Sequence, residues 1–397
     1  MSPKIKLTRI IHPVGQGGFY TETLRQGEQE FNIVYDCGGF NRVEKKMKNY
    51  LDSYLFSEKT KKKIDAVFIS HLHADHINGL QYLLDNAEVK YLFLPQLSDD
   101  IFLEAFLYNF CLTGNYSHVN QFLMHLYNGD RTYGDNEIGT KIIQVSPAND
   151  NPFPVDFISE NIHTESHGLN VWDWKENTKV DLSSQMSISA NTLLNVGDWF
   201  YIPYNSEVDS QKVKDLNDKL HEALALNGTL DVAKLPTMLK TLGVNKCKGI
   251  YTEVFGKEHN SYSMTLFSGT SSSVVENHCR MSPACCKHHY CPAPYCCNPN
   301  MLYTGDFEPN YVKGLQNYYG QWWDKIATIQ IPHHGSKYNY EKKLYEYPVK
   351  GFVSVGNGNS FHHPDIDTLI EIQNQGCHPI IVTEDKSSMQ ISQYTVI

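Results

Sequence analysis

Residues 64–76, with the sequence IDAVFISHLHADH, join a short apolar run to a dense cluster of metal-ligand side chains. The run 64–69 is typical of a strand buried on both faces of a parallel sheet. Four candidate ligands follow it: His71, His73, Asp75 and His76. Imidazole nitrogen and carboxylate oxygen suit zinc, manganese or iron, and this spacing can direct ligands toward two neighbouring metals. The sequence therefore predicts a dinuclear site at the end of a buried strand.

Two later segments repeat the pattern of a strand that ends in metal-ligand residues. Residues 301–306 (MLYTGD) end in Asp306, and residues 329–336 (IQIPHHGS) contain His333 and His334. Because α/β sheets place their sites at the carboxyl ends of strands, we expect these side chains to approach the first cluster.

The rest of the chain alternates strand-like and helical runs, which predicts a layered α/β fold. Strands are predicted at Ile5–Ile11, Phe19–Leu24, Phe31–Tyr35, Ile64–Ile69, Val89–Leu94, Asp198–Tyr204, Tyr262–Phe267, Met301–Thr304, Ala327–Ile331, Gly351–Val355 and Pro379–Thr383. Helices are predicted at Glu44–Leu55, Ile101–Phe110, Val119–Tyr127, Val213–Leu224, Leu235–Leu242 and Asp365–Gln373. The polar segment 130–195 predicts loops with one or two strands.

Composition excludes several classes of protein. The chain has 397 residues, 41% of them hydrophobic, and a formal net charge of −10 from 34 basic and 44 acidic residues. This balance argues against coating nucleic acid or an anionic membrane by charge alone. The basic run 59–63 is interpreted as a solvated helix end.

No apolar run reaches the length of about 18 residues that a membrane span needs, and the start lacks a signal-peptide pattern. We expect a cytoplasmic protein without membrane association.

Six of the ten cysteines lie in a loop at about 278–298. They are Cys279, Cys285, Cys286, Cys291, Cys296 and Cys297. Their spacing has no clean CxxC pairs, so three alternatives stay open: a structural zinc site, disulfide bonds, or an unpaired flexible loop.

A set of motifs, in order along nearly the whole chain, resembles one family. They are Gly15-Gln16-Gly17, Tyr35-Asp36-Cys37-Gly38-Gly39, the His71–His76 cluster with Ile77-Asn78-Gly79-Leu80, Asn260-Ser261-Tyr262-Ser263, Thr304-Gly305-Asp306, Pro332-His333-His334-Gly335-Ser336, and Ser354-Val355-Gly356 with Asn359 and His363-Pro364. The chain resembles the metallo-β-lactamase-fold hydrolases and, within them, the metallo-hydrolase domain of ComEC-type competence proteins and its soluble relatives. This resemblance implies a four-layer αββα sandwich formed by a single domain, 1–397, with a long, partly helical insertion at about 97–250.

The resemblance also implies a ligand set. His71 and His73 would bind one metal, Asp75 and His76 the other, and Asp306 would bridge both. One of His333 and His334 would complete the second metal, and His334 is favoured. Zinc is the expected metal, with manganese as the alternative.

Further roles follow from the same resemblance. Asp75 would also orient the attacking hydroxide, and His333 could donate to a phosphoryl oxygen. Asp36 would support the segment 71–76, here called the metal loop, through contacts outside the ligand set. Asn260 and Ser263 stand where many members carry another histidine, and Ser336 belongs to the residues around the ligands. His363 and Asn359 could reach the substrate or form a structural turn.

The leading functional prediction is a phosphodiesterase or nuclease that uses a hydroxide activated by two metals. Its substrate would be nucleic acid or a small nucleotide. The alternatives are a lactone, amide, peptide or thioester hydrolase on the same fold, a binding or regulatory module with structural metals, and an effector controlled by a protein partner.

Overall fold

A computed structural model describes residues 4–55, 62–113, 118–128, 132–133, 139–148, 152–154, 157, 169–206, 210–225, 230–256, 262–271, 275–277, 298–360 and 362–396. In chain order the strands are β1 (Ile5–Ile11), β2 (Phe19–Gln26), β3 (Gln29–Cys37), β4 (Lys63–Phe68), β5 (Glu88–Pro95), β6 (Thr132–Tyr133), β7 (Thr140–Val145), β8 (Asn170–Asp173), β9 (Thr178–Lys179), β10 (Ser187–Ile188), β11 (Thr192–Val196), β12 (Trp199–Asn205), β13 (Met264–Thr270), β14 (Val275–Asn277), β15 (Met301–Tyr303), β16 (Thr328–Gln330), β17 (Lys350–Ser354), β18 (His378–Val382) and β19 (Gln390–Val396). The α-helices are α1 (Glu44–Tyr54), α2 (Ala74–Ile77), α3 (Leu80–Asn86), α4 (Asp99–Thr113), α5 (His118–Tyr127), α6 (Ser210–Leu224), α7 (Leu235–Leu242), α8 (Val244–Phe255), α9 (Val312–Tyr319) and α10 (Ile366–Asn374).

The strands form two sheets. The first has the order β10-β7-β5-β4-β3-β2-β1-β19-β14, with β6 paired to β7. The second has the order β18-β17-β16-β15-β13-β12-β11-β8-β9. In the first sheet β3, β4, β5 and β7 run parallel, and in the second β15, β16, β17 and β18 do. Each sheet therefore has a block of parallel strands whose carboxyl ends can carry a site.

Three apolar clusters define the layers. One packs helices onto the first sheet, and its members include Leu51, Phe106 and Val67. A second fills the space between the sheets, and a third packs α9 and α10 onto the second sheet. Because each sheet buries one face on the other sheet and one on helices, the molecule is a four-layer αββα sandwich. The predicted fold class is confirmed.

A buried polar network also links the two sheets. Glu22 on β2 accepts hydrogen bonds from Arg9 at 2.6 Å and from Tyr303 at 2.7 Å through Oε1. Its Oε2 accepts from Tyr201 at 2.8 Å and from Ser268 at 2.7 Å. A buried carboxylate is costly unless it is paired and hydrogen-bonded, and here both oxygens have two donors.

The segment 130–195 differs from the sequence expectation of one or two strands. Its described residues contribute β6, β7 and β10 to the first sheet and β8, β9 and part of β11 to the second. Most of these strands are two to four residues long and rich in polar side chains, so they lack the alternation that marks a strand in sequence. Helix α8 was not predicted either; Gly249 interrupts its helical pattern.

Over the described ranges, no helix combines the length and the apolar character that spanning a bilayer requires.

Candidate metal centre

Six buried side chains form two adjoining sets of three. We call His71, His73 and Asp306 subsite 1, and Asp75, His76 and His334 subsite 2. Within each subsite, one candidate ligand atom per residue lies within 4.8 Å of the others. The first cluster follows β4 of the first sheet, whereas Asp306 and His334 follow β15 and β16 of the second. The structure thus brings together the three segments that the sequence singled out.

Asp306 lies between the two subsites. Its Oδ2 is 3.6 Å from His71 Nε2, and its Oδ1 is 3.2 Å from His76 Nε2. Its Oδ1 is also 3.9 Å from His334 Nε2. One carboxylate oxygen therefore faces each subsite, which is the position that a bridging ligand requires.

A chain of hydrogen bonds orients His71 and His76 from behind. Asp36 accepts from the Ser70 backbone N–H at 2.7 Å and from the Ser70 hydroxyl at 2.8 Å. Because that hydroxyl gives its proton to Asp36, it accepts from His71 Nδ1–H at 2.9 Å. His76 Nδ1–H donates directly to Asp36 at 2.7 Å. Both rings are thereby turned with Nε2 toward the site.

The other two histidines of the subsites are oriented by separate acceptors. His334 Nδ1–H donates to the Ser354 carbonyl at 2.8 Å, which leaves Nε2 for subsite 2. His73 Nε2–H donates to Glu104 at 3.0 Å, which leaves Nδ1 for subsite 1. A ligand histidine commonly has its second nitrogen held by a carboxylate or carbonyl in this way, since that contact fixes the tautomer.

The atoms left over fit a metal. His71 Nε2, His76 Nε2, His334 Nε2 and Asp75 Oδ1 are buried without any hydrogen bond. Leaving a polar atom buried and unsatisfied costs about 1–3 kcal/mol. Imidazole nitrogens and carboxylate oxygens that converge in this state form a donor set suited to divalent cations such as zinc.

The charges of the site are strongly coupled. Burial alone would raise the pKa of the Asp75 carboxyl, but His334, Arg42 and His76 outweigh it and hold that pKa well below its usual range. Burial would likewise lower the pKa of His76, but Asp306 and Asp36 raise it well above the ordinary value. Burial, reinforced by His76 and His73, lowers the pKa of His71. The Asp75 carboxylate is therefore ionised at neutral pH.

His333 differs from the four oriented histidines. Its Nε2 lies 3.8 Å from Asp306, and its buried Nδ1 has no hydrogen-bond partner. Burial lowers its pKa, so the ring is neutral at neutral pH. Both His333 and His334 have a left-handed backbone, with φ of 47° and 54°, and strain of this kind concentrates at functional sites.

His363 lies at the edge of the same site, with its ring centroid 5.7 Å from that of His333. Burial lowers its pKa to about 4. Asn359 brackets the backbone of His363: it donates to the carbonyl at 2.6 Å and accepts from the N–H at 3.0 Å. Through these two contacts Asn359 stabilises the turn that leads to His363.

Two predicted serines have structural contacts. The Ser263 hydroxyl donates to the Thr304 carbonyl at 3.1 Å and accepts from the Asp306 N–H at 3.2 Å, so it fixes the loop that carries Asp306. The Ser336 hydroxyl accepts from the Tyr338 N–H at 3.3 Å and caps a short turn. Asn260 and the cysteines of 278–297 lie outside the described residues. These cysteines are Cys279, Cys285, Cys286, Cys291, Cys296 and Cys297.

Sequence reasoning missed four residues around the site. Glu104, Tyr108 and Asn109 on α4 contact the metal loop, and Arg42 lies in a half-buried turn that packs against α2. A signal for Glu104 was available. It is an acidic residue in the middle of a helix with large apolar side chains on all faces, and a buried acid of that kind needs a partner.

Comparison with family models matches residues 24–92 to the metallo-beta-lactamase superfamily. Curated proteins give no match. Among solved structures, the metallo-beta-lactamase fold protein YhfI from Bacillus subtilis aligns with 9% identity and a TM-score of 0.37, covering 96% of this chain and 97% of its own. Unliganded yeast PDE1 aligns with 10% identity and a TM-score of 0.35, covering the whole of both chains. The family match thus covers the part of the chain that includes His71, His73, Asp75 and His76.

Proposed function

We propose that the protein is a metal-dependent hydrolase of phosphodiesters, with nucleic acid or a small nucleotide as its substrate. The observation that carries this proposal is the position of Asp306, whose two oxygens face two adjoining sets of buried ligands. Two divalent metals bound there would activate the attacking water and stabilise charge on the phosphoryl oxygens.

Asp75 has the features of a residue that orients the attacking water. Its carboxylate is ionised, and its Oδ1 is buried without a hydrogen bond while Oδ2 lies 3.4 Å from His334. One oxygen can therefore hold the cation of subsite 2 while the other accepts a hydrogen bond from the water that attacks phosphorus. As the new P–O bond forms, the bond from phosphorus to the leaving alkoxide breaks. The attacking oxygen must therefore approach phosphorus from the side opposite the leaving oxygen.

His333 suits a different role, the stabilisation of negative charge on a phosphoryl oxygen. As a neutral ring, it has one N–H to donate, and no acceptor holds its Nδ1. It can donate to a phosphoryl oxygen as negative charge builds there, which is the kind of transition-state stabilisation that contributes most in buried sites. His363, braced by Asn359, would line the entrance on the same side.

Arg42 would favour an anionic substrate over a neutral one. It lies in the turn that packs against the helix carrying Asp75, and its charge contributes to the low pKa of that carboxyl. Residues 40–42 all have positive φ, between 52° and 68°, so the turn holds a strained conformation. A guanidinium recognises phosphate geometry well, and here it would compensate locally for the net charge of −10.

The test is hydrolysis of bis(p-nitrophenyl) phosphate by the purified chain loaded in turn with Zn²⁺, Mn²⁺ and Co²⁺. We expect metal-dependent turnover that falls by at least about 100-fold in Asp75→Asn and Asp306→Asn, as when a single transition-state contact is removed. The matched control is Asp324→Asn, which removes an exposed carboxylate and should keep full activity.

Chains that bind two metals but leave the diester intact under all three ions would overturn the proposal. If such chains cleave a lactone, amide, peptide or thioester instead, that class of hydrolase replaces it. If they cleave none of these, the metals are structural, and a binding module or a partner-controlled effector replaces it.

A further inference from the structure

Glu104 connects helices α4 and α8 to the metal loop. It lies in the middle of α4 with 0% exposure, and it accepts from His73 Nε2–H at 3.0 Å. Its Oε1 also accepts from the hydroxyl of Tyr251 on α8 at 2.5 Å. The line of contacts thus runs from α8 through α4 to a candidate ligand of subsite 1.

Two more side chains on α4 contact the same loop. The Tyr108 ring stacks on the His73 imidazole with a centroid distance of 3.6 Å and an interplanar angle of 19°. Asn109 accepts from the Ala74 N–H at 2.8 Å and donates to the Leu72 carbonyl at 3.0 Å. Glu104 fixes the tautomer and direction of the His73 ring, Tyr108 fixes its plane, and Asn109 fixes the backbone on both sides.

These contacts have an energetic consequence. Burying a carboxylate costs free energy unless hydrogen-bond donors compensate it. Glu104 is fully buried when α4 is packed, so the packed state depends on its donors His73 and Tyr251. When His73 donates from Nε2, Glu104 has this donor in the packed position of α4, and His73 Nδ1 stays available for a cation. A cation on Nδ1 selects that same tautomer.

We propose that Glu104 and Tyr251 are positioning residues for subsite 1, and that cation binding at this subsite and docking of α4 and α8 on the metal loop stabilise each other. Such coupling is reciprocal by thermodynamic necessity. The inference rests on the metal binding in the proposed function and is independent of the reaction.

The experiment uses the full chain stripped of metal and titrated with Zn²⁺ by calorimetry. The variant His334→Ala removes a ligand of subsite 2, so the remaining metal reports on subsite 1. In that background, Glu104→Gln and Tyr251→Phe should each weaken Zn²⁺ binding by about 10–100-fold, the usual effect of losing a partner of a ligand histidine. In a His71→Ala background, which keeps subsite 2, they should change the affinity little. Zn²⁺ should also slow hydrogen exchange in α4 and α8 of the His334→Ala chain.

Tyr201→Phe is the matched control. It removes the same kind of contact, a buried tyrosine hydroxyl on a buried glutamate, but on Glu22 between the sheets. The inference is overturned if Tyr251→Phe binds Zn²⁺ like its parent, if Tyr201→Phe weakens subsite 1 equally, or if Zn²⁺ leaves exchange in α8 unchanged. A parent chain that binds no Zn²⁺ overturns both proposals. A parent that binds two ions without cleaving phosphodiesters overturns the proposed function alone.

Discussion

Asp36 Oδ2 lies 2.7 Å from His76 Nδ1, and both side chains are fully buried. Asp36 also accepts two hydrogen bonds from Ser70 and adopts a left-handed backbone with φ of 55°. One carboxylate therefore supports His76 of subsite 2 directly and His71 of subsite 1 through the Ser70 hydroxyl.

We expect Asp36→Asn to weaken metal binding by about 10–100-fold, because an amide cannot accept from both Ser70 and His76 with a full negative charge. Equilibrium titration with Zn²⁺ measures this. Asp324→Asn, an exposed carboxylate, should bind like the parent. An Asp36→Asn chain with unchanged affinity would show that Asp36 serves the fold alone.

Gly38 leaves no room for a side chain beside the metal loop. A Cβ at this position would lie 2.3 Å from the Asp75 carbonyl oxygen and 2.6 Å from the His76 carbonyl carbon. Gly38→Ala should therefore lower the free energy of unfolding by about 1–3 kcal/mol, as overpacking does. It should also weaken subsite 2. Denaturant unfolding of the metal-free chain separates the first effect from the second.

Gly249→Ala is the control for Gly38→Ala. Gly249 lies inside α8, and a Cβ there would meet nothing within 4 Å. Alanine in a helix interior is more stable than glycine by about 0.5–1 kcal/mol, so this variant should gain stability. Equal losses in both variants would contradict the close approach at Gly38.

His12 predicts how stability depends on pH. It is fully buried between Tyr50 and Thr21, and burial, helped by Lys62, lowers its pKa from 6.5 to about 3. Above pH 6.5 the ring is neutral in both states and has no effect. Between about pH 6.5 and 3 the unfolded chain binds a proton that the folded chain does not, so this group lowers stability by about 1.4 kcal/mol per pH unit.

His12→Gln removes this titration while it keeps hydrogen-bonding atoms. Its free energy of unfolding should fall less steeply below pH 6.5 than that of the parent, whatever its value at pH 8. Chemical denaturation of metal-free chains at several pH values measures the two slopes. Parallel slopes would mean that His12 becomes protonated in the folded state.

Replacing Arg42 tests whether the substrate is anionic. Arg42→Ala should raise KM for a phosphodiester by about 10-fold or more, since a hydrogen bond to a charged group contributes about 1.5–3 kcal/mol. Metal content should stay at the parent value. Lys46→Ala, which removes an exposed cation on α1, is the control. A KM that does not change in Arg42→Ala would remove the argument for an anionic substrate.

Much of the fold could be predicted because the signals are local. The runs before His71, Asp306 and His333 are short and apolar and end in candidate ligands, and each forms an interior strand with a parallel neighbour. The strands of 130–195 could not be predicted in the same way. Strands such as β9 and β10 exist because neighbouring strands provide hydrogen-bond partners, and a two-residue strand carries no periodicity of its own.

The residues of the site also fall into two groups, those that sequence can predict and those that it cannot. The six ligand candidates lie in motifs, so sequence can name them. Glu104 and Tyr251 meet across 147 positions of the chain, and only tertiary packing brings them to His73. Sequence favours His334 over His333 through the family resemblance alone, because the contact that orients His334, from Nδ1 to the Ser354 carbonyl, is a tertiary one.

The two subsites take their ligands from both sheets: four from the segment after β4, and the other two from the segments after β15 and β16. A bound cation would therefore cross-link the two halves of the sandwich at one rim, and the sheets could separate only after releasing it. Resistance to heat would then report metal supply. Free metal at 100 times its Kd would add about 2.7 kcal/mol to the stability of the fold, so a cell short of metal would hold a chain that is easier to unfold and degrade as well as inactive.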